Sequence, residues 1–286
     1  MPSGEFTPKL CGRNNPRVLA REAQIRESFK VKWDLREKEA VGIKHVQGEG
    51  LDVQFDISSL MYLNDKSVYS FLVKQLLPSL SRYLNRLLKL KVPLAQGVNP
   101  FYAECFESRF SKSFDFRGGL GILVTASNYG EVDPTYAAFS LTCKQDDKTG
   151  RPILGQLNYN PAEISINNFD TMFETTLHEL FHILGFNSEL FYYFIDENMN
   201  KRNNADSFVR SPSGKYIGVK TPAVLREAKS FYNCPTIESV PLEDEGGPGS
   251  AQSHWERSIF YDEFMTASSV SGSRSEERRV GKECLR

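Results

Sequence analysis

No run of eighteen apolar residues occurs in the 286-residue chain, which excludes a conventional membrane-spanning helix within it. Excess charge of either sign is also lacking, with 35 Lys+Arg against 36 Asp+Glu and a formal net charge of −1. A nucleic-acid partner is excluded on that ground, because phosphate neutralisation needs a basic stripe that nothing here supplies. The first 20 residues contain no apolar h-region of a secretory signal, so either the protein is cytosolic or its true start lies upstream. Asn-x-Ser/Thr acceptors are absent, and nothing supports N-glycosylation. Histidine is scarce at four residues and cysteine numbers five. What is present is 40 % apolar residues, enough to bury a full core in one large domain or two modest ones.

The C-terminal end reads differently from the rest. After SSVSGS, residues 274–284 are RSEERRVGKEC, which looks like the translation of a sequencing adapter; the bland alternative is a solvated, disordered tail. Without residues 274–286 the chain loses five basic and three acidic groups and carries a net charge of −3. Cys284 goes with them, leaving Cys11, Cys105, Cys143 and Cys234, an even count compatible with disulfides.

Along the chain, residues 1–50 form a charge-rich lead or pro-region. Residues 51–60, LDVQFDISSL, alternate Leu51, Val53, Phe55 and Ile57 with polar neighbours, the period of a half-buried strand. Over 67–90 the apolar positions Val68, Phe71, Leu72, Leu76, Leu80, Leu84, Leu87 and Leu88 recur at helical spacing, with Pro78 expected to kink or interrupt the helix. GILVTAS, introduced by Gly118, Gly119 and Gly121, reads as a buried strand, and 153–166 as an extended stretch interrupted by Pro161. The polar stretch 196–220 reads as surface loops, and 221–232 as a short amphipathic helix with Pro222 in its first turn. The cluster Phe186, Phe191, Tyr192, Tyr193 and Phe194 is either core or substrate subsite.

Chemistry concentrates in residues 171–186, TMFETTLHELFHILGF. His178-Glu179-Leu180-Phe181-His182 is the H-E-x-x-H pattern, which sets two imidazoles one helical turn apart, where both can reach one zinc ion. Glu179, beside the first of them, can accept a proton from a zinc-bound water. Gly185 follows at the offset where metzincins turn the chain towards a third histidine, but position 188 is Ser188. A catalytic zinc needs three protein ligands, so the third is sought in His45 or His254. His254 is the better candidate, because Met265 follows it in SHWERSIFYDEFMTAS and could supply a methionine turn under the metal.

This zinc helix, the insertion of about seventy residues and the remote histidine before a Met turn resemble the leishmanolysin family of metalloproteases. Residues 142–161, 221–256 and DEFMTAS at 262–268 are similar to segments of that family in the same order. The resemblance implies an α+β, zincin-like metzincin catalytic domain: a twisted mixed sheet on helices, the zinc helix beneath it, and a loop-rich insertion before the third histidine. It divides the chain into a lead at 1–50, an N-terminal catalytic subdomain at 51–190, a central subdomain at 191–269 and a disordered or artefactual tail at 270–286. One Zn2+ per chain is implied, held by His178, His182 and His254, with Glu179 assisting the attack of a zinc-bound water on a peptide bond.

Protein or peptide substrates follow, and so does a secreted or cell-surface location, with membrane association only through segments outside this chain. The stretch 153–166 is expected either as the sheet edge that binds substrate or as a plain strand. Cys105 and Cys143 are expected to pair. Cys234 is expected to have lost its partner, and Cys11 is either a zymogen switch on the zinc or an undistinguished thiol. Two alternatives stand beside the peptidase: a non-catalytic adhesion or binding protein on the same scaffold, and an intracellular zinc hydrolase of another family.

Overall fold

The computed structural model of the chain describes residues 49–90, Cys105, 119–128, 136–147, 149–196, 198, 200–247, 249–261 and 263–269, with short pieces between residues 9 and 27. Cys11, His45 and the tail at 270–286 lie outside the described residues, so the expectations placed on them are not addressed. The strands are β1 (Lys9–Leu10), β2 (Val53–Asp56), β3 (Leu120–Ala126), β4 (Ala138–Gln145), β5 (Pro152–Tyr159), β6 (Phe208–Arg210), β7 (Tyr216–Val219), β8 (Val240–Pro241) and β9 (Ser268–Ser269). The main sheet runs β2-β3-β5-β4, parallel across the first three and antiparallel at β4. A mixed α+β architecture of the kind the leishmanolysin resemblance implies is therefore present.

One face of this sheet carries the larger core. Val53, Ile122, Val124, Leu157 and Tyr159 pack there against Leu72, Leu76, Leu80 and Leu84 of one helical stretch and against Leu177, Leu180 and Ile183 of another. The first stretch runs through the helix Lys66–Phe71, a π-helical turn at Leu72–Leu76 and the helix Leu77–Leu87. Asp65 caps its start, accepting from the amides of Ser67 and Val68. Pro78 accounts for the π turn: it has no N–H to give the carbonyl of Lys74, and its ring crowds that carbonyl, so the chain widens just before it. The amide of Leu77 accordingly donates to Leu72, five residues back.

The second helix, Phe169–Leu184, carries the H-E-x-x-H residues and packs on β4 and β5. Alternation along β4 turns Ser140 and Thr142 towards this helix, where their hydroxyls reach the carbonyls of Glu179 (2.8 Å) and Ile183 (3.0 Å). Leu141 and Cys143 face the other side of the sheet, packed with Cys105, Leu123 and Leu154. Cys105 and Cys143 are joined by a disulfide. Cys234 is also disulfide-bonded, to a partner outside the described residues, which corrects the expectation of an orphaned thiol.

Of the two readings of 153–166, sheet edge or plain strand, the plain strand is the one found: β5 lies between β3 and β4 and is buried along its whole length. Two-sided pairing with cover on both faces accounts for its uninterrupted burial, which extends to the polar Gln156 and Asn158. The edge next to it is β4, where Phe139, Leu141 and Cys143 alternate with Ser140, Thr142 and Lys144, a period-two pattern that the sequence reading passed over. Residues 196–220, against expectation, are not all loop. They contain the helix Asn204–Ser207 and the hairpin β6–β7, with Gly214 at φ 85° in its turn, because Phe208 and Val219 are buried side chains set among polar ones.

β6, β7 and β8 form a second, three-stranded sheet, flanked by the helix Pro222–Phe231 with its proline in the first turn. Its core is aromatic: Phe191 stacks on Phe208 at 4.5 Å and meets Phe194 and Tyr216 edge-on. Of the two readings of the Phe186–Phe194 cluster, core is therefore the one the packing supports at Phe191 and Phe194. The short strands β1 and β9 pair antiparallel with each other.

The seat of the H-E-x-x-H helix depends on one missing side chain. A Cβ at Gly155, in the middle of β5, would lie 2.6 Å from Cγ2 of Ile183, a fully buried and stiff β-branched residue. Gly155→Ala is expected to destabilise the fold by about 1–3 kcal/mol, measured by urea unfolding, because the helix must lift off the sheet to admit the methyl group.

Candidate metal centre

The helix Phe169–Leu184 begins at Asn168, whose side chain accepts from the amide of Thr171, and ends at Gly185. Its apolar face, including Met172, Leu177, Leu180 and Ile183, is fixed in the core, and this fixes the opposite rotation of the helix as well. Tyr159 on β5 ties it down further. The hydroxyl of Thr176 donates to the carbonyl of Met172 at 2.7 Å, so the phenol of Tyr159 donates to Thr176 at 2.8 Å. Burial pushes that phenol far up, against the lowering effect of its bond to Thr176, and the carboxylate of Glu179 adds to the rise. Tyr159 therefore stays neutral and serves as an anchor.

Four residues apart on this helix, His178 and His182 bring their Nε2 atoms to 3.0 Å from each other. His254, 72 residues beyond His182, brings its own Nε2 to 3.2 Å from His178 and 3.1 Å from His182. His182 and His254 are fully buried. The three rings pack as two edge-on pairs and one stacked pair.

What each Nδ1 does decides the chemistry. That of His178 lies 3.0 Å from the carbonyl of Phe264, that of His182 2.7 Å from the carbonyl of Phe186, and that of His254 2.8 Å from the carbonyl of Ser250. A carbonyl only accepts, so each Nδ1 is the protonated nitrogen and each neutral ring presents an Nε2 lone pair. Three lone pairs then converge with no proton to place between them. Tetrahedral zinc with Zn–N bonds near 2.0–2.1 Å requires its nitrogens roughly 3.3 Å apart, and the observed separations fall within about 0.3 Å of that. The donor set fits a zinc ion.

The elements that supply the carbonyls are local consequences of sequence. Gly185 adopts φ 134°, a value that L side chains rarely reach, and its amide closes the helix on Phe181 and His182. That turn returns the carbonyl of Phe186 to His182. Ser188, at the position where a third histidine would stand in the short motif, instead lies against Ser253, the neighbour of His254, its amide donating to the Ser253 hydroxyl at 3.3 Å. The loop before His254 is built on Gly246 and Gly247, both at positive φ, and the amide of Glu243 donates to the carbonyl of His254. Met265 is buried, its carbonyl accepts from the amide of Trp255, and its amide donates to the carboxylate of Glu263. The segment thus runs alongside His254 and sets the carbonyl of Phe264 over His178.

Glu179 is buried, with 1 % of its surface exposed, and its Oε2 lies 2.8 Å from the hydroxyl of Ser140. Sequence reasoning brought His178, Glu179, His182, Gly185, His254 and Met265 forward, and the fold gathers them at one end of the H-E-x-x-H helix. It missed Ser140, and it missed the carbonyls of Phe186, Ser250 and Phe264. A main-chain carbonyl leaves no mark in a sequence, and Ser140 could have been found only by first recognising β4.

Comparison with known proteins gives a consistent picture. The leishmanolysin family profile matches residues 122–276, more than half of the chain. Similar proteins include a leishmanolysin-like peptidase of Caenorhabditis briggsae, 28% identical over 179 residues, which cover 51% of this chain and 27% of that protein. A leishmanolysin-like peptidase of Drosophila melanogaster is 29% identical over 162 residues, 45% of this chain and 24% of that protein. Leishmanolysin of Leishmania tropica is 32% identical over 136 residues, 47% of this chain and 20% of that protein. The matched part of the chain thus spans about a quarter of the length of these relatives.

The turn at Gly185 is open to test. A Cβ there would meet only Phe194 Cε1 at 3.7 Å, so space is available and the backbone conformation alone opposes a side chain. Gly185→Ala is expected to cost about 1–3 kcal/mol in urea unfolding and to weaken zinc binding, read by competition with a chromophoric chelator, because the carbonyl of Phe186 moves off His182.

Proposed function

The chain belongs to the leishmanolysin family, and from that membership and the geometry of the three histidines we propose that it is a zinc-dependent metalloendopeptidase acting on protein or peptide substrates. The observation that carries this reading is the convergence of three Nε2 lone pairs within 3.2 Å, each ring oriented by a carbonyl on its far nitrogen. His178, His182 and His254 would hold one Zn2+ and leave its fourth position free for water or substrate. Zinc, when bound, supplies a Lewis acid that acidifies water and polarises a scissile carbonyl.

The remaining steps belong to the protein. Glu179 takes the proton of the attacking water as general base and returns it to the leaving amine, so no covalent enzyme intermediate is needed. Its burial keeps the carboxylate at a fixed place with little bulk water to compete for the proton. Met265 is structural, holding the segment whose Phe264 carbonyl orients His178. Among the described strands β4 is paired on one side only, and an extended peptide would add there as a further strand. Subdomains at 51–190 and 191–269 are part of the same proposal, supported by the main sheet falling in the first range and the three-stranded sheet in the second.

A secreted or cell-surface location is part of the proposal. The support is chemical: two of the described cysteines form a disulfide and a third is disulfide-bonded, a state that persists in oxidising compartments. No described helix is long and apolar enough to cross a membrane.

The test is zinc content and casein cleavage by the chain and two variants, with and without a chelator. The chain is expected to bind about one zinc and to cleave in a chelator-sensitive way. Glu179→Gln should keep the zinc while the rate falls by about 10²–10⁴, and His254→Ala should lose metal and activity together. A folded protein that takes up no zinc would overturn the site, and zinc-loaded protein that leaves casein and denatured substrates intact would overturn the activity.

A further inference from the structure

Ser140 makes a contact that the peptidase reading does not use. It stands in the middle of β4, is completely buried, and sets its hydroxyl oxygen 2.8 Å from Oε2 of Glu179 and 2.8 Å from the main-chain carbonyl oxygen of the same residue. A hydroxyl has one proton and can also accept, and a carbonyl oxygen can only accept. As the general base Glu179 is a carboxylate, and Ser140 gives its proton to it in a charge-assisted bond.

We propose that Ser140 is a positioning residue for Glu179: its buried hydroxyl, 2.8 Å from both Oε2 and the main-chain carbonyl of that residue, fixes the carboxylate in one rotamer against the sheet. The inference rests on the reading of Glu179 as general base. Rigid support from a strand suits the task, since Ser140 lies in register with Leu157 of β5.

A purely structural tie would look different, and the fold provides one for comparison. Thr142, two residues along the same strand, donates to the carbonyl of Ile183 one turn further along the same helix. It joins strand to helix as Ser140 does, and its bond reaches no carboxylate.

The experiment compares Ser140→Ala, Ser140→Thr and Thr142→Val in zinc content, kcat and KM on a quenched peptide substrate. Ser140→Ala is expected to lower kcat roughly 10–100-fold with KM and zinc content unchanged, the scale of a lost supporting bond. Ser140→Thr, which keeps the hydroxyl, should recover most of the rate, and Thr142→Val should leave kcat where it was. Ser140→Cys, close in volume but a poor donor, carries the expectation of Ser140→Ala if the alanine variant does not fold. Independently of activity, urea unfolding of metal-free Ser140→Ala, Glu179→Ala and the double variant should be non-additive. An unchanged kcat in Ser140→Ala, an equal fall in Thr142→Val, no rescue by threonine, or strict additivity in unfolding would each overturn the proposal. Failure of the peptidase reading is distinguishable, because the parent protein would then cleave nothing whichever residue stood at 140.

Discussion

Three main-chain carbonyls decide what this site can be. By accepting from the Nδ1 of His178, His182 and His254, the carbonyls of Phe264, Phe186 and Ser250 force the same tautomer on every ring and aim every lone pair inward. Imidazoles that faced one another with free choice of tautomer could share protons pairwise. Here they cannot, and the electrostatic repulsion among three lone pairs is relieved by a cation. The carbonyls come from the turn after the helix, the loop before His254 and the segment of Met265, so the centre exists only when all three segments have folded around the helix.

The rest of the architecture holds the helix still. Gly155 lets it sit close on β5, Thr142 and Ser140 reach its carbonyls from β4, and Tyr159 holds Thr176. On the other side, Phe264 packs edge-on against both His178 and Phe181. Phe186 meets Trp255 at 4.6 Å, joining the residue after the helix turn to the neighbour of His254. Apolar packing thus sets the distances, and hydrogen bonds set the angles and tautomers.

How much of this was legible in the sequence depended on how local each feature is. His178, Glu179 and His182 could be read at once, because a four-residue spacing fixes their relation within a helix. His254 could be reached only by elimination among four histidines, together with the Met that follows it. The partner carbonyls could not be read at all, since every residue has one. β4 carried its signal in the alternation of Phe139, Leu141 and Cys143 with Ser140, Thr142 and Lys144, but the run is short and Ser140 and Thr142 face a helix and not solvent, and the edge was sought in 153–166 instead. The hairpin in 196–220 escaped for a related reason: Phe208 and Val219 are single buried positions in polar surroundings.

The contact between Ser188 and Ser253 means that the chain leaves the metal site and returns to it at one point, after an excursion of 65 residues. The cost of closing such a loop grows only with the logarithm of its length, about 0.6 kcal/mol for each doubling. The excursion packs its own aromatic core and lends the centre little beyond His254 and the loop that carries it. A change in its length or outer surface would therefore leave the three nitrogens in place, which makes this insertion the region where one metal site can be given different surroundings.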